Sequence, residues 1–272
     1  MLNGGDAVSH GWTPERGFIR YRWGGYSEAL LLYVLGLGSP TFPLPAGSYD
    51  AWLSTYRWRR IYGHDLIDAG PLFIHQLSQL WIDARGIQDA YVSAHGLDYF
   101  ENSRRATYVQ QQYAIRNPRK FAGYGQHCWG ITASDGPGPA TRQVQGTSRR
   151  FFDYAARGVP YGPDDGTIAP WACAASLPFA PEIVLPTLHH FRALGLEVGP
   201  YGFATTFNRT FPDQTGSPGW VSPWYIGLNQ GPVVMMIENY RSGMLWHLMR
   251  RCGPMLRGLC RAGFSGGWLS TA

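Results

Sequence analysis

The sequence predicts an all-α protein, and three observations carry that reading. About nine segments have helix start and stop signals, and no run of alternating β-branched residues is long enough to make a sheet the organising element. With 44% apolar residues in 272, the chain can bury a sizeable core. Short strands are expected only in the loops.

The first helix opens at Glu28, capped by Ser27, and runs Ala-Leu-Leu-Leu-Tyr-Val to Leu35, apolar on nearly every face and ended by Gly36, Gly38 and Pro40. Such a helix is buried on most sides. Ser48 caps a second through Tyr62, rich in Trp52, Tyr56 and Trp58, and Pro71 opens a third through Gly86. A fourth, Asp98 to Arg116, is stopped by Asn117-Pro118. Shorter helices follow at Ser148 to Arg157, Pro170 to Leu177 and Pro181 to Leu194. A long one from Pro232 to Arg251 carries the apolar stripe Val233, Ile237, Tyr240, Met244, Trp246 and Leu248, and a last one spans Pro254 to Ala262. The Gly/Pro segments Ala122 to Gly146, Gly158 to Ala169 and Pro200 to Leu228 exceed simple connections and are expected to build one functional face. No composition break divides residues 1–272, which read as one domain.

Charge and cysteines narrow the function class. The net charge of +5 would suit an anionic partner, but Lys120 is the single lysine and the arginines are scattered singly or in pairs, with no run or tail. The excess reads as compositional bias, so no nucleic-acid partner is expected. Cys128, Cys173, Cys252 and Cys260 lack metal-ligand spacing and read as buried thiols, so no metal and no disulfide framework is expected. No apolar stretch reaches the roughly 20 residues of a membrane span, and Met1 to His10 lack the basic and apolar regions of a secretory signal. The protein reads as soluble. Neither G-x-x-x-x-G-K-[ST] nor G-x-G-x-x-G occurs, so no nucleotide cofactor is expected.

Four groups could carry chemistry. Glu28 follows Trp23-Gly-Gly-Tyr26-Ser at the mouth of the apolar first helix, where burial would raise its pKa towards that of a general acid; alternatively it complements the helix dipole. His75, Gln79 and Asp83 fall at i, i+4 and i+8 on the predicted third helix, lining a polar cavity or forming an interhelical network. Glu101 can pair with the arginines that follow it, while Asn102 and Arg105 could reach a polar ligand. Asp135 and Asp165 stand in tight turns, where Asp before Gly is first a turn signal. Carboxylates among Trp and Tyr on a helical scaffold are the equipment of a carbohydrate-active enzyme: flat rings stack on sugars and paired acids cleave the glycosidic bond.

Several ordered motifs carry a resemblance: Arg22-Trp-Gly-Gly-Tyr-Ser-Glu28, Gly70-Pro-Leu-Phe-Ile-His-Gln76, Trp81-Ile-Asp83, Asp98-Tyr-Phe-Glu-Asn-Ser-Arg-Arg-Ala-Thr107, Trp129-Gly-Ile-Thr-Ala-Ser-Asp-Gly-Pro137, Asp165-Gly-Thr-Ile-Ala-Pro170 and Gly231-Pro-Val-Val-Met-Met-Ile-Glu-Asn239. From about Trp12 to Trp268 the chain resembles the glycoamylase-like domain of bacterial endo-β-1,2-glucanases, glycoside hydrolase family 144, which is related to a domain of cyclic β-1,2-glucan synthases. The resemblance implies an (α/α)6 toroid, a periplasmic or secreted location, and metal-free, inverting hydrolysis of β-1,2-glucan without a cofactor. It makes Glu28 the general acid. Trp23, Tyr26, His75, Gln79, Asp83, Asn102, Arg105, Asp135, Asp165 and Asn239 become the substrate-binding set. A toroid needs twelve helices against the nine or so counted, so the toroid is expected to be incomplete, lacking its first three helices and the carboxylate that partners Glu28. An inactive glucan-binding fragment and a transglycosylase are the alternative functions. Without those helices the Ala29 to Leu37 flank is expected to face water.

Overall fold

The computed structural model describes residues 1–212 and 218–271. Nine α-helices occur among them: α1 (Ala29–Leu37), α2 (Gly47–Leu53), α3 (Ala90–Ala94), α4 (Tyr99–Arg116), α5 (Pro170–Ala174), α6 (Pro181–Ala193), α7 (Gly227–Arg241), α8 (Met244–Met249) and α9 (Gly253–Arg261). The strands are short: β1 (Trp12–Thr13), β2 (Gly17–Phe18), β3 (Trp58–Ile61), β4 (His64–Ile67), β5 (Ala133–Ser134), β6 (Ala140–Val144), β7 (Thr147–Phe151), β8 (Ala155–Ala156), β9 (Thr167–Ile168), β10 (Glu197–Gly199), β11 (Gly202–Phe203), β12 (Phe207–Pro212) and β13 (Pro218–Val221). They pair as two-stranded ribbons β1-β2, β3-β4, β5-β8, β6-β7 and β10-β11, plus one three-stranded sheet ordered β13-β12-β9. The fold is helix-rich with strands confined to the connections.

Four predicted helices are corrected. The second stops at Leu53, where the Ser54 and Thr55 hydroxyls donate to the carbonyls of Ala51 and Trp52. Beyond it lies the β3-β4 hairpin, with Trp58 opposite Ile67 and a turn at Tyr62-Gly63 whose φ values of 50° and 87° are those of a two-residue hairpin loop. Residues 148–157 are likewise not helical: β6 and β7 pair across Gln145-Gly146, again both at positive φ. The third is two 3₁₀ turns, Leu72–His75 and Leu77–Leu80, followed by loop. Its polar side chains are buried and bond neighbouring chain segments in place of a helical ladder, so His75, Gln79 and Asp83 do not share a helix face. The long helix starts earlier, at Gly227, and breaks after Arg241, where Gly243 takes φ 67° ahead of α8.

The chain forms two compact units. The first comprises Met1–Ala69, Leu77–Ser103 and Gly243–Ala272. Its core is aromatic: Tyr33 stacks on Trp52 at 4.7 Å between ring centroids and Tyr26 on Tyr99 at 5.4 Å. Helix α1 buries Ala29, Leu30, Tyr33, Val34 and Leu37, while Leu35 remains 41% exposed. Its apolar all-round pattern is therefore covered on one side more than the other. The second unit comprises Gly70–Gln76 and Arg104–Ser242, and buries Trp129, Ile131, Phe151, Ile168, Cys173, Phe191 and Met236 together with the side chain of Arg157.

The cysteines differ from the expectation of four buried thiols. Cys128 and Cys173 are buried, and burial lifts both thiols, that of Cys128 to about 12. Cys252 is half-buried and Cys260 exposed, on the solvent side of α9. Among the described residues no helix is long and apolar enough to cross a membrane, and no group of three or more His, Cys, Asp or Glu is arranged to hold a metal ion.

Candidate active site

In the first unit the geometry centres on Glu28. It is the N-cap residue of α1, but its side chain makes no capping hydrogen bond, and the backbone N–H of Ala29 reaches the Ser27 hydroxyl instead, at a long 3.4 Å. Burial pushes the carboxyl above its ordinary value, only partly offset by its own backbone N–H and by the nearby His10. The helix N-terminus favours the anion, and burial wins. The Ser78 hydroxyl donates to the Glu28 carbonyl at 3.1 Å, which ties this corner to the Leu77–Leu80 turn.

The ring of Trp23 stacks at 4.1 Å on His10, the residue whose charge acts on Glu28. Tyr26 is buried between Tyr56 and Tyr99, and its hydroxyl adjoins Ser103 and Gln79. Gln79 Nε2 donates to the Tyr99 carbonyl at 2.9 Å and to Ser103 Oγ. Glu28, Trp23, Tyr26 and Gln79 thus form one connected corner. Asn102 and Asp83 are bonded to other parts of the unit. Asn102 is fully buried and its Oδ1 accepts the Ile67 backbone N–H at 2.8 Å, holding β4 to α4. Asp83 is clamped by both guanidinium arms of Arg85 at 2.8 Å and by Arg250; burial would raise its pKa, and the two arginines together hold it below the usual carboxylate range.

In the second unit Asp165 is likewise clamped. Arg157 grips it at 2.8 Å through Nε and Nη2, the backbone N–H of Phe152 adds a third bond at 2.8 Å, and these overcome burial to lower its pKa. The same Arg157 donates through Nη1 to the Ser134 carbonyl at 2.6 Å and so pins the turn that carries Asp135. Asp135 is half-buried, and its carboxylate accepts the hydroxyls of Thr206, at 3.0 Å, and of Ser222. It is held by neutral groups, where Asp83 and Asp165 are held by cations. His75 is buried at the end of its 3₁₀ turn, Arg105 is half-buried on α4, and Asn239 is buried on α7.

Two residues that shape these surroundings, Arg157 and Asp89, carried no sequence signal, and a third, Asp164, showed only as a carboxylate in a turn. Arg157 stands alone between Ala156 and Gly158, and its partner lies across a turn. Asp89 accepts the hydroxyls of Tyr49 at 2.7 Å and Tyr99 at 2.6 Å while capping α3. Asp164 accepts those of Tyr113 at 2.9 Å and Tyr124 at 2.7 Å, and burial still keeps its pKa raised.

A family model described as Glycoamylase matches residues 20–253. The exo β-1,2-glucooligosaccharide sophorohydrolase (non-reducing end) of Parabacteroides distasonis is 32% identical over 276 residues, covering 91% of this chain and 35% of the relative. Among solved structures, the endo-β-1,2-glucanase of Chitinophaga pinensis, in complex with sophorotriose and glucose, has 30% identity and a TM-score of 0.76 over 97% of this chain and 60% of its own. A Bacteroides uniformis protein with a glucoamylase designation reaches 0.83 at 32% identity, over 98% and 61%. The chain therefore spans about a third of the curated relative and about three fifths of these two solved chains.

Proposed function

This chain belongs to the glycoamylase family, and on that premise we propose that it hydrolyses β-1,2-glucan, with Glu28 as general acid. The carrying observation is Glu28 itself: a carboxyl at the mouth of an apolar helix, near His10, making no capping hydrogen bond and biased by burial towards its protonated form. A general acid must hold its proton at working pH, and this environment favours that state. The sugar stacks on Trp23, and Tyr26 and Gln79 back the corner. Inversion requires a second carboxyl about 6.5 to 9.5 Å from the acid with room for a water between them. Asp83 and Asp165 are poor candidates for that base, because arginines hold their pKa values down. A base acting through a substrate hydroxyl fits better. In the second unit Asp135, held by hydroxyls, is the carboxylate suited to meet a sugar, with His75, Arg105 and Asn239 as further polar contacts. The reading brings with it the (α/α)6 toroid, the metal-free mechanism and the periplasmic or secreted location that the family resemblance implies.

Release of reducing ends from linear β-1,2-glucan tests it. Glu28→Gln is expected to lower the rate at least 10²-fold, the low end of what a general acid supplies. In the parent protein the rate should fall as pH rises through the raised Glu28 pKa, placing the alkaline limb above the ordinary carboxylate value of about 4.3. Unchanged activity in Glu28→Gln would overturn the assignment. The clamped state of Asp83 and Asp165 favours one second reading, a glucan-binding protein without turnover: glucan would then bind with no reducing ends released. Elongated or cyclic products would instead mark a transglycosylase.

A further inference from the structure

Residues 8–23 form an antiparallel ribbon in which Val8 and Ser9 are buried and the remaining side chains lie outside the core. Trp12 pairs directly with Phe18, and Ser9 bridges Arg22, so the register slips by one residue between the two pairs, a β-bulge near Ile19-Arg20. The ladder continues through His10, whose backbone N–H donates to the Tyr21 carbonyl at 2.9 Å, and through Trp23, which donates to the Val8 carbonyl at 2.9 Å. Strand side chains alternate faces, so Trp12 and His10 share a face, their partners Phe18 and Tyr21 stand on it too, and Trp23, two residues after Tyr21, completes it. Five rings thus line one face of a ribbon only a few residues long. Trp12 is 58% exposed and Tyr21 78% exposed. At its inner end the row meets the candidate acid: His10 stacks on Trp23 and is near enough to Glu28 to act on its charge.

We propose that this aromatic row is an accessory glucan-binding track, on which the pyranose rings of a chain extending away from Glu28 lie against Trp12, Phe18, Tyr21 and His10. This rests on the reading of Glu28 as the acid of a glucan hydrolase. The chemistry selects a sugar over a protein partner. The face is built from flat rings rather than branched aliphatics, and the apolar C–H faces of a pyranose stack on such rings while its hydroxyls stay in water. It is also continuous with the candidate acid, so one chain can occupy both. Arg16, exposed in the turn at the end of the ribbon, can meet hydroxyls there.

The test compares long and short ligands in a Glu28→Gln background, where the chain is not cut during titration. Calorimetry with linear β-1,2-glucan should show binding weakened about tenfold by Trp12→Ala and again by Tyr21→Ala, since each exposed ring contributes on the order of one stacking contact. Sophorotriose, too short to reach beyond Trp23, should bind equally to all three proteins. Trp12→Phe, which keeps a ring, should restore most of the affinity, and that rescue separates stacking from misfolding. Equal glucan affinity with and without Trp12 would overturn the track while leaving the hydrolase reading intact. A Trp12→Ala protein that changes from dimer to monomer in sedimentation, with glucan binding unmoved, would overturn it in favour of a second copy of the chain. No glucan binding by the parent protein would remove the hydrolase reading and the track together.

Discussion

Asp164 and Asp165 are adjacent and both buried, yet their carboxyls are driven in opposite directions. Burial raises both. Asp165 faces a guanidinium with two matched N–H donors, and the charge-assisted pair reverses the shift. Asp164 faces two tyrosine hydroxyls and the Gly166 N–H, all neutral, with the charge of Asp165 beside it, and the shift stands. Asp165→Asn leaves Arg157 buried without a counter-charge and is expected to cost about 3 to 5 kcal/mol in chemical denaturation at pH 7. Asp164→Asn mimics the form that burial already favours and should cost less than about 2 kcal/mol. Equal losses would show that Arg157 is not the deciding partner. The same asymmetry explains what was legible at this scale. Glu28 could be read because a carboxyl heading an apolar run is a local pattern, and Asp135 and Asp165 because Asp-Gly marks a turn. Asp165's clamp could not, because Arg157 meets it through a turn that no periodicity announces.

At the scale of elements, α1 and α9 cross at glycines. A Cβ built on Gly258 would overlap the Val34 carbonyl oxygen, and one built on Gly38, just past the end of α1, would overlap that of Pro254. Backbone meets backbone there, so no side chain can swing aside. Gly258→Ala is expected to lower stability by about 1 to 3 kcal/mol or more in urea unfolding, as overpacking does, and Gly38→Ala similarly. Because both act by separating the same two helices, the double variant should lose less than the sum of the singles. Gly47→Ala, at the start of α2 with nothing within 4 Å, should be neutral or slightly stabilising. Strict additivity, or an inert Gly258→Ala, would sink this account. Elements with standard punctuation were legible: α5 and α6 open on Pro170 and Pro181, and α4 ends before Asn117-Pro118. The β3-β4 and β6-β7 hairpins were not, because their turns place Tyr62 and Gln145, rather than Asn or Asp, in the left-handed conformation ahead of glycine.

For the molecule as a whole, composition and punctuation sufficed to read a helix-rich fold, while the short strands within its long Gly/Pro segments depend on pairings between residues far apart in sequence, such as Phe207 with Ile168. The arginine-clamped aspartates, one in each compact unit, mix ranges: Arg250 reaches Asp83 from far along the chain while Arg85 is its near neighbour, and Arg157 meets Asp165 across a turn. Together they set how the protein responds to acid. Both have folded pKa values below the ordinary Asp value of about 3.9, so the unfolded chain binds their protons first. Their stabilising contribution is complete above that value and is lost as the pH falls from it through the folded values. Glu28 and Asp164 run the other way: raised in the fold, they contribute most below their ordinary values and lose that contribution as pH rises through the folded ones. Thermal unfolding followed from pH 7 to pH 3 should therefore show its steepest decline below about pH 4, where the clamped pair titrates. Asp83→Asn and Asp165→Asn should each lower Tm at pH 7 and flatten that acid decline, because the substituted residue no longer takes up a proton on unfolding. A parent and variants with parallel curves down to pH 3 would mean that carboxylates other than Asp83 and Asp165 control the acid response.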